Sequence, residues 1–278
     1  MLGKKQVTKN EAWITAIKDI ELTVPYNELQ DLVDKTVQEI SQTINGYRST
    51  LGRSCRPAFC WSGGKDSIVL ERLCDMAGIK NSVLVVCNLE YPAFMKWLIE
   101  NAPPNLEIVN TGQDLAWLAR HENLIFPQNS RDSGRWFRIV QHAGQTSYFK
   151  KHYLDMLILG RRRADGNYIG KKDNIYTNSA GVTRYSPIAY WRHEHILAFI
   201  HYYNIPLPPI YSWPNGYLCG THPWPARQWT GSVENGWAEV YDIDPSIVAD
   251  AAAYIKSAEE FFIRLAKGGK DERYSSKA

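Results

Sequence analysis

The sequence alternates short, continuously apolar segments with amphipathic segments, and this alternation restricts the possible folds more than any other feature. The apolar segments predict strands, and strands without alternating polar residues are typical of a parallel sheet that is buried on both faces. Right-handed connections place helices on both faces of such a sheet. We therefore predict an α/β fold with a doubly wound parallel sheet, with strands at residues 57–61, 82–87, 106–109 and 154–159.

Apolar residues that recur every three or four positions predict the helices. The predicted helices are 26–47, 65–77, 93–101, 114–121, 145–153, 193–204 and 245–266. Residues 1–26 have no strong period, and we expect them to lie on the surface. Residues 161–185 form the longest stretch without apolar periodicity, which predicts a functional loop that acts as a mobile lid.

The chain of 278 residues is divided here into three parts. These are a helical N-terminal extension (1–52), an α/β domain (53–212) and a Trp-rich C-terminal segment (213–278) that ends in a helix. The tryptophans of the last part suit either a surface for a partner or for stacked bases, or simple packing onto the sheet. They are Trp213, Trp224, Trp229 and Trp237.

Charge and cysteine content exclude several classes of protein. The net charge of +3 does not by itself indicate a polyanionic partner, but residues 131–172 hold ten Lys/Arg and three Asp/Glu. This basic segment predicts a local site for phosphate, sulfate or nucleic acid; a solvated basic surface is the alternative. The five cysteines form no closely spaced pair, which argues against zinc or iron–sulfur sites and for reduced thiols, with Cys60 and Cys87 buried.

The sequence shows no pattern typical of a signal peptide or a transmembrane helix. No segment approaches the roughly 18 consecutive apolar residues of a transmembrane helix. No apolar stretch follows the lysines near the N-terminus, so we expect no signal peptide, no membrane partner and a cytoplasmic location.

A glycine turn, Ser62-Gly63-Gly64-Lys65-Asp66-Ser67, separates the first predicted strand from the next helix. Glycines let the backbone approach an anion closely, and the N–H groups and dipole of a helix N-terminus favour negative charge. Lys65 adds a positive charge, and the two serines can donate hydrogen bonds. Asp66 is suited either to hold a magnesium ion or to stabilise the helix N-terminus. The turn follows the carboxyl end of a strand, where ligands bind in open α/β sheets, so it predicts a phosphate or sulfate site.

This turn resembles the PP-loop of the adenine-nucleotide α-hydrolase-like (HUP-type) superfamily, which includes ATP pyrophosphatases, tRNA thiolation enzymes and sulfonucleotide reductases. Residues 160–166, Gly-Arg-Arg-Arg-Ala-Asp-Gly, resemble the G-x-R-R-x-E-S segment of 3′-phosphoadenylyl-sulfate (PAPS) reductases, with Asp165 for Glu and Gly166 for Ser. Residues 186–217 are similar to that family's P-L-x-x-W, N-x-P-x-x-P-L-Y and G-Y motifs. The matches follow the family's order over residues 58–217.

The resemblance implies that an adenine nucleotide, ATP or PAPS, places its phosphate or sulfate end on the PP-loop (residues 62–67). It implies that Asn88 and Leu89 lie where the superfamily holds adenine and ribose, with Thr111-Gly112 as support. Arg161 has no counterpart in the family, and we expect it to be solvated. The expected contacts to the anion are Ser62, Gly63, Gly64, Lys65, Asp66, Ser67, Gly160, Arg162 and Arg163.

The superfamily's common reaction predicts an AMP-forming enzyme that attacks ATP at the α-phosphate and releases pyrophosphate. Adenylation would prepare a nucleic acid or small substrate for a nucleophile such as sulfide or ammonia, and a sulfur donor is a candidate partner. Lys65, Arg162 and magnesium at Asp66 would stabilise the leaving pyrophosphate. We see no Ser/His/Asp triad, and expect His193 and His195 on a helix surface.

Two alternatives remain open. The first is a thioredoxin-dependent PAPS reductase with Cys219 as nucleophile, because residues 219–222, Cys-Gly-Thr-His, partly match the family's Glu-Cys-Gly-x-His motif. Leu218 stands where that motif has Glu, however, and 59 residues follow Cys219. The second is a non-catalytic nucleotide-sensing module that acts through a protein partner.

Overall fold

The computed structural model describes residues 10–171, 173–228 and 230–267. Its strands form one six-stranded sheet: β1 (Pro57–Cys60), β2 (Ser82–Val86), β3 (Leu106–Asn110), β4 (Met156–Ile158), β5 (Ile175–Thr177) and β6 (Thr183–Tyr185). The strand order is β3-β2-β1-β4-β6-β5. All neighbours are parallel except β5 and β6, which pair antiparallel at the edge. The predicted α/β fold with a doubly wound, mostly parallel sheet is confirmed.

The described residues hold thirteen α-helices. None of these helices combines the length and the apolar character needed to cross a membrane. The helices are α1 (Asn10–Lys18), α2 (Ile20–Thr23), α3 (Tyr26–Leu51), α4 (Lys65–Met76), α5 (Pro92–Asn101), α6 (Leu115–Ala119), α7 (Ser130–Trp136), α8 (Ala143–Lys151), α9 (His193–Tyr202), α10 (Gly216–Cys219), α11 (Val233–Ile243), α12 (Pro245–Ala252) and α13 (Lys256–Ala266).

The segment 161–185 is not the single loop that the sequence predicts. Its second half forms the β5–β6 hairpin, whose strands of three residues each are too short to show a hydrophobic period. Val182 and Tyr185 are buried, so they fix the hairpin to the sheet. The expectation of a mobile lid over this whole segment is therefore wrong.

Both ends of the described chain also depart from the predictions. Residues 10–24 do not lie loosely on the surface, because Trp13, Ile20 and Val24 are buried. Near the C-terminus the helix predicted at 245–266 is two helices, since Ile255 adopts an extended conformation between them. Helix α11 precedes them in a region that is rich in tryptophan and glycine, where the sequence predicts no helix. The expectations for residues 1–9 and 268–278 lie outside the described residues.

The chain forms two compact units. The first contains the sheet and takes its residues from Met1–Val86, Pro92–Asn110 and Gln141–Thr221. Strand residues alternate between the faces of this sheet, and Ala58, Val83 and Leu157 form a buried cluster with Tyr148 of α8 on one of them. Helices α3, α4 and α9 contact one another in the same unit.

The second unit takes its residues from Cys87–Tyr91, Thr111–Val140 and His222–Ala278. Its core is aromatic: the ring of Phe126 meets the ring of Trp237 edge-on with centroids 4.9 Å apart, and Trp224 lies 5.6 Å from Trp237. Trp224 and Trp237 are buried, so they do not form an exposed surface for a partner. Trp213 is half-buried in the first unit, and Trp229 lies outside the described residues.

Candidate functional site

The PP-loop connects the end of β1 to the first turn of α4, and its two serines hold its shape. The Ser67 hydroxyl accepts hydrogen bonds from the Ser62 N–H (3.0 Å) and from the Ser62 hydroxyl (3.1 Å), and donates to the Gly64 carbonyl (2.8 Å). The hydroxyl protons of Ser62 and Ser67 are therefore used within the loop. These serines position the backbone of the loop and are not free donors in this conformation.

Glycines are required at this loop by close approach and by conformation. Gly63 has φ +66°, and a Cβ there would lie 2.9 Å from the Phe94 ring. A Cβ at Gly160, beyond the end of β4, would lie 3.0 Å from the Asp66 carbonyl oxygen. Gly160 thus lets its strand end pack against the first turn of α4, which makes it a positioning residue for the loop. A side chain at Gly63 would disturb packing, so this position is a poor probe of ligand binding.

Three charged side chains meet at the start of α4. The Lys65 ammonium lies 2.6 Å from Asp66 Oδ2, and Arg162 Nε lies 2.7 Å from Asp66 Oδ1. Arg162 is completely buried, and its Nη2 contacts Asp165 Oδ1 and His193 Nδ1, both at 2.9 Å. The short contact between Arg162 Nε and Asp66 Oδ1 is not aligned as a hydrogen bond, and both atoms are buried without another partner. Lys65, Asp66, Arg162, Asp165 and His193 form what we call the charged cluster.

The charged cluster sets the ionisation of its members. Burial opposes ionisation of Asp66, but Lys65 and Arg162 outweigh it and lower the pKa of Asp66 to about 2. Burial and the nearby Asp66 raise the pKa of Asp165. Burial, followed by the charges of Arg162 and Lys65, lowers the pKa of His193 to about 3. His193 is therefore neutral near pH 7, with Nδ1 accepting from Arg162.

Asp66 does not fit the expected role of magnesium ligand. Each of its carboxylate oxygens faces a cation, Lys65 Nζ at one and Arg162 Nε at the other. A divalent ion at either oxygen would be repelled by both of these cations. Within residues 10–171, 173–228 and 230–267, no group of three or more His, Cys, Asp or Glu side chains could hold a metal ion.

Aromatic side chains cover the same loop. The Tyr211 hydroxyl accepts a hydrogen bond from the Lys65 backbone N–H at 2.8 Å. The Tyr217 ring lies 4.8 Å from the Tyr211 ring and stacks on Trp13 at 5.5 Å, while the Lys65 ammonium lies 5.1 Å from the centre of the Trp13 ring. Thr221 completes this wall, with Oγ1 3.2 Å from where a Cβ of Gly64 would be. In this conformation Tyr211 occupies an N–H group that the sequence assigns to an anion.

His193, Trp13 and Tyr211 were not predicted as site residues. His193 was expected on a helix surface, but it is buried against Arg162 and meets the Trp13 ring edge-on at 4.4 Å. His195, half-buried, receives a hydrogen bond from the Arg192 guanidinium instead. Trp13 lies far from the loop in sequence, so no local pattern could have identified it. Tyr211 lies within residues 186–217, which resemble the family's motifs, but the resemblance assigns it no role.

Other predicted residues are not members of the charged cluster. Arg163 is exposed, and its guanidinium lies over the Tyr190 ring, 4.9 Å from the ring centre. Asn88 and Leu89 belong to the second unit. The Asn88 backbone N–H donates to the Gln113 carbonyl at 2.8 Å, and its side chain is exposed. Leu89 is buried, and its carbonyl accepts from the Trp224 N–H at 3.1 Å, so it has little free surface for a ligand.

The cysteines lie in buried or half-buried positions. Cys219 is buried at the end of the four-residue helix α10, and none of the five cysteines forms a disulfide. Burial lowers the pKa of His222 to about 4, so this residue does not supply a positive charge near pH 7. Burial raises the pKa of Cys60 to about 12 and that of Cys87 well above its ordinary value. Cys87 is buried as predicted, and Cys60 is half-buried.

His193 makes stability depend on pH. Its pKa is about 3 in the folded chain, against an ordinary value of 6.5 for histidine, so protons bind the unfolded chain first as the pH falls from 7. Lowering the pH from 7 to 5 should therefore reduce the free energy of unfolding by about 1–2 kcal/mol through this group. In His193→Gln, whose amide oxygen can accept from Arg162, this part of the loss should vanish. Urea denaturation at pH 7 and pH 5 measures the loss of stability in the unsubstituted chain and in His193→Gln. Equal losses in the two proteins would contradict the low pKa of His193.

We compared the chain with models of protein families, with curated proteins and with solved structures. A family model described as the phosphoadenosine phosphosulfate reductase domain matches residues 56–217. One similar solved structure is a PAPS reductase from Candida auris in a phosphate complex, with 11% identity and a TM-score of 0.47, covering 68% of this chain and 92% of that chain. NMN synthetase from Francisella tularensis has 16% identity and a TM-score of 0.45, covering 64% of this chain and 71% of that chain. A U34-tRNA thiolase from Methanococcus maripaludis has 17% identity and a TM-score of 0.44, covering 84% of this chain and 79% of that chain. No curated protein matches the chain significantly by sequence. Because these TM-scores are below 0.5, the family match alone identifies the family.

Proposed function

Because this chain belongs to the phosphoadenosine phosphosulfate reductase domain family, whose model matches more than half of it, we propose that it binds an adenine nucleotide at the PP-loop and cleaves ATP to AMP and pyrophosphate. Members of this family and of the PP-loop superfamily are usually enzymes. The released energy would activate an acceptor substrate by adenylation.

The observation that carries this proposal is the convergence of Lys65 and Arg162 on Asp66 beside the helix N-terminus that follows the PP-loop. Two cations held at one carboxylate are already oriented, so a pyrophosphate that replaces this carboxylate as their partner meets a prepared site. The dipole of α4, which is twelve residues long, favours negative charge at the same place. This arrangement supports a leaving group of high negative charge.

The proposed chemistry uses only the chain and its substrates. An oxygen of the acceptor attacks the α-phosphorus of ATP, the bond to the bridging oxygen breaks, and pyrophosphate leaves. Lys65 and Arg162 stabilise the charge that develops on pyrophosphate. A second nucleophile, such as a sulfur donor, then displaces AMP from the adenylated acceptor. Neutral His193 keeps Arg162 oriented through its Nδ1, and Tyr211 must release the Lys65 N–H for an anion to bind there.

The reductase alternative has one observation in its favour. Cys219 lies two residues before Thr221, which contacts the PP-loop region at Gly64. A thiol at this place could reach a bound sulfate only after the segment moves, because Cys219 is 5% exposed. Attack by this cysteine on the sulfur of PAPS would also need an external thiol such as thioredoxin to release sulfite. We therefore rank the ATP-cleaving function first.

One experiment separates these functions. The purified chain is incubated with ATP carrying a label in the α-phosphate, and in parallel with PAPS plus reduced thioredoxin. Labelled AMP with equimolar pyrophosphate supports the proposal, and sulfite supports the reductase. Formation of ADP and phosphate would contradict both. Tight nucleotide binding without any product would instead favour the sensing module.

A further inference from the structure

A second group of basic side chains lies outside the charged cluster. Arg184, on strand β6, is 2% exposed, yet no carboxylate within the described part of the chain lies within ion-pair distance of it. Its Nη2 donates to the Gln145 side-chain oxygen at 3.1 Å, and its Nε is buried without a hydrogen-bond partner. A buried charge without a counter-charge costs several kcal/mol. The buried guanidinium of Arg184 therefore destabilises the fold as long as no anion binds it.

Arg161 adds a second positive charge beside the first, because it binds Tyr176, the residue paired with Arg184 in the register of β5 and β6. Its guanidinium donates to the Tyr176 hydroxyl at 2.7 Å and to His142 Nε2 at 3.1 Å, and it too has no ion pair among the described residues. Burial and the charge of Arg184 both lower the pKa of Arg161. Arg161 is thus not the solvated residue that the sequence predicts. The two guanidinium groups repel each other and are held together by neutral partners.

None of the titratable groups beside the two arginines supplies the missing negative charge. Burial raises the pKa of the Cys60 thiol to about 12, even though both arginines act to lower it. Burial likewise raises the pKa of Tyr148, on the same face of the sheet, to about 12. Gln145 is an uncharged amide, and His142 Nε2 accepts from Arg161 and so carries no proton. At pH 7 this group carries two positive charges and no negative one.

We propose that Arg161 and Arg184 form a second anion site, which takes a phosphate, sulfate or carboxylate group. Planar guanidinium groups bind such oxyanions through paired hydrogen bonds, and the anion would neutralise the two charges that the fold leaves unpaired. Arg161 is half-buried and gives the anion its approach, whereas Arg184 lies deeper. This proposal does not depend on the reaction at the PP-loop. Arg162, the next residue along the chain, pairs with Asp66, so the two sites divide adjacent arginines between them.

The site is tested with inorganic phosphate as the probe. Thermal unfolding is followed as phosphate replaces chloride at constant ionic strength, in a Lys65→Ala background that weakens the PP-loop. We expect saturating phosphate to raise the melting temperature by about 4 °C or more. Adding Arg184→Gln should abolish this rise and should raise the melting temperature measured in chloride, because a buried unpaired charge is removed. Arg48→Gln, which removes an exposed arginine on α3, should leave the rise unchanged.

Two outcomes would overturn the proposal: no stabilisation by phosphate in the Lys65→Ala background, or an unchanged rise after Arg184→Gln. If Arg184→Gln does not fold, Arg161→Gln gives the same readout from a less buried position. Calorimetry then identifies the source of the anion. If the arginine variant binds adenosine 3′,5′-bisphosphate tenfold more weakly than the unsubstituted chain but binds AMP equally well, the site holds a second phosphate of the nucleotide. Unchanged affinity for both nucleotides, with the phosphate effect lost, assigns it to a separate anionic substrate.

Discussion

Lys65→Ala should lower the nucleotide-dependent turnover about 100- to 1,000-fold, because it removes a charge that stabilises the leaving pyrophosphate in the transition state. The side chain is buried and held by Asp66 at 2.6 Å, so it cannot be replaced by a neighbouring lysine. Initial rates of pyrophosphate release at saturating ATP measure the loss. Circular dichroism confirms that the variant is folded.

Cys219→Ser is the matched comparison for this variant. It replaces a buried sulfur by an oxygen of similar geometry within the segment that covers the PP-loop. Under the ATP-cleaving function it should lower turnover less than about tenfold, whereas a sulfur-attacking cysteine would leave no activity. An inactive Cys219→Ser that still binds nucleotide, beside an active Lys65→Ala, would reverse our ranking of the two functions.

Arg162→Leu should reduce the free energy of unfolding by about 3–5 kcal/mol. Arg162 is completely buried between Asp66 and Asp165, and its removal leaves two carboxylates near each other, with Lys65 alone to balance them. The expected value lies toward the lower end, since both carboxylates retain some access to water. Chemical denaturation near pH 7 gives the value directly.

A second substitution tests the cause of this loss. Asp165→Asn, added to Arg162→Leu, removes one of the two uncompensated charges and should recover at least about 1 kcal/mol of the lost stability. If Arg162→Leu costs less than about 1 kcal/mol, or if Asp165→Asn recovers nothing, then the charged cluster does not stabilise the fold in the way described.

Sequence reasoning succeeded where a feature is local and long enough to show a period. β1, the PP-loop and α4 follow one another without interruption, so their order and the loop's place at a strand end were predicted. The hairpin of β5 and β6 was missed because each strand has three residues, and its buried Arg184 has the appearance of a loop residue.

The candidate site was predicted only as far as its residues lie in motifs. Lys65 and Arg162 belong to separate motifs, and the structure brings both to Asp66. His193 and Trp13 join them through packing between helices distant in sequence, which no local pattern reports. The internal use of the Ser62 and Ser67 hydroxyls was also not predictable, because a hydroxyl suits a ligand and a backbone equally well.

The second unit is built from segments that are far apart in the sequence, and this limits how the protein can be shortened. Residues 222–267 lie beyond the end of the family match, whereas residues 111–140 lie within it. Phe126 donates its N–H to the Pro225 carbonyl at 2.7 Å, and a Cβ at Gly236 would already lie 2.3 Å from the Phe126 ring. A chain that ends at Thr221 would keep Phe126 but would lack its aromatic neighbours Trp224 and Trp237. Residues 111–140 and 222–267 therefore depend on each other for a packed core, and a shortened chain that lacks the second segment should lose the stability of the first.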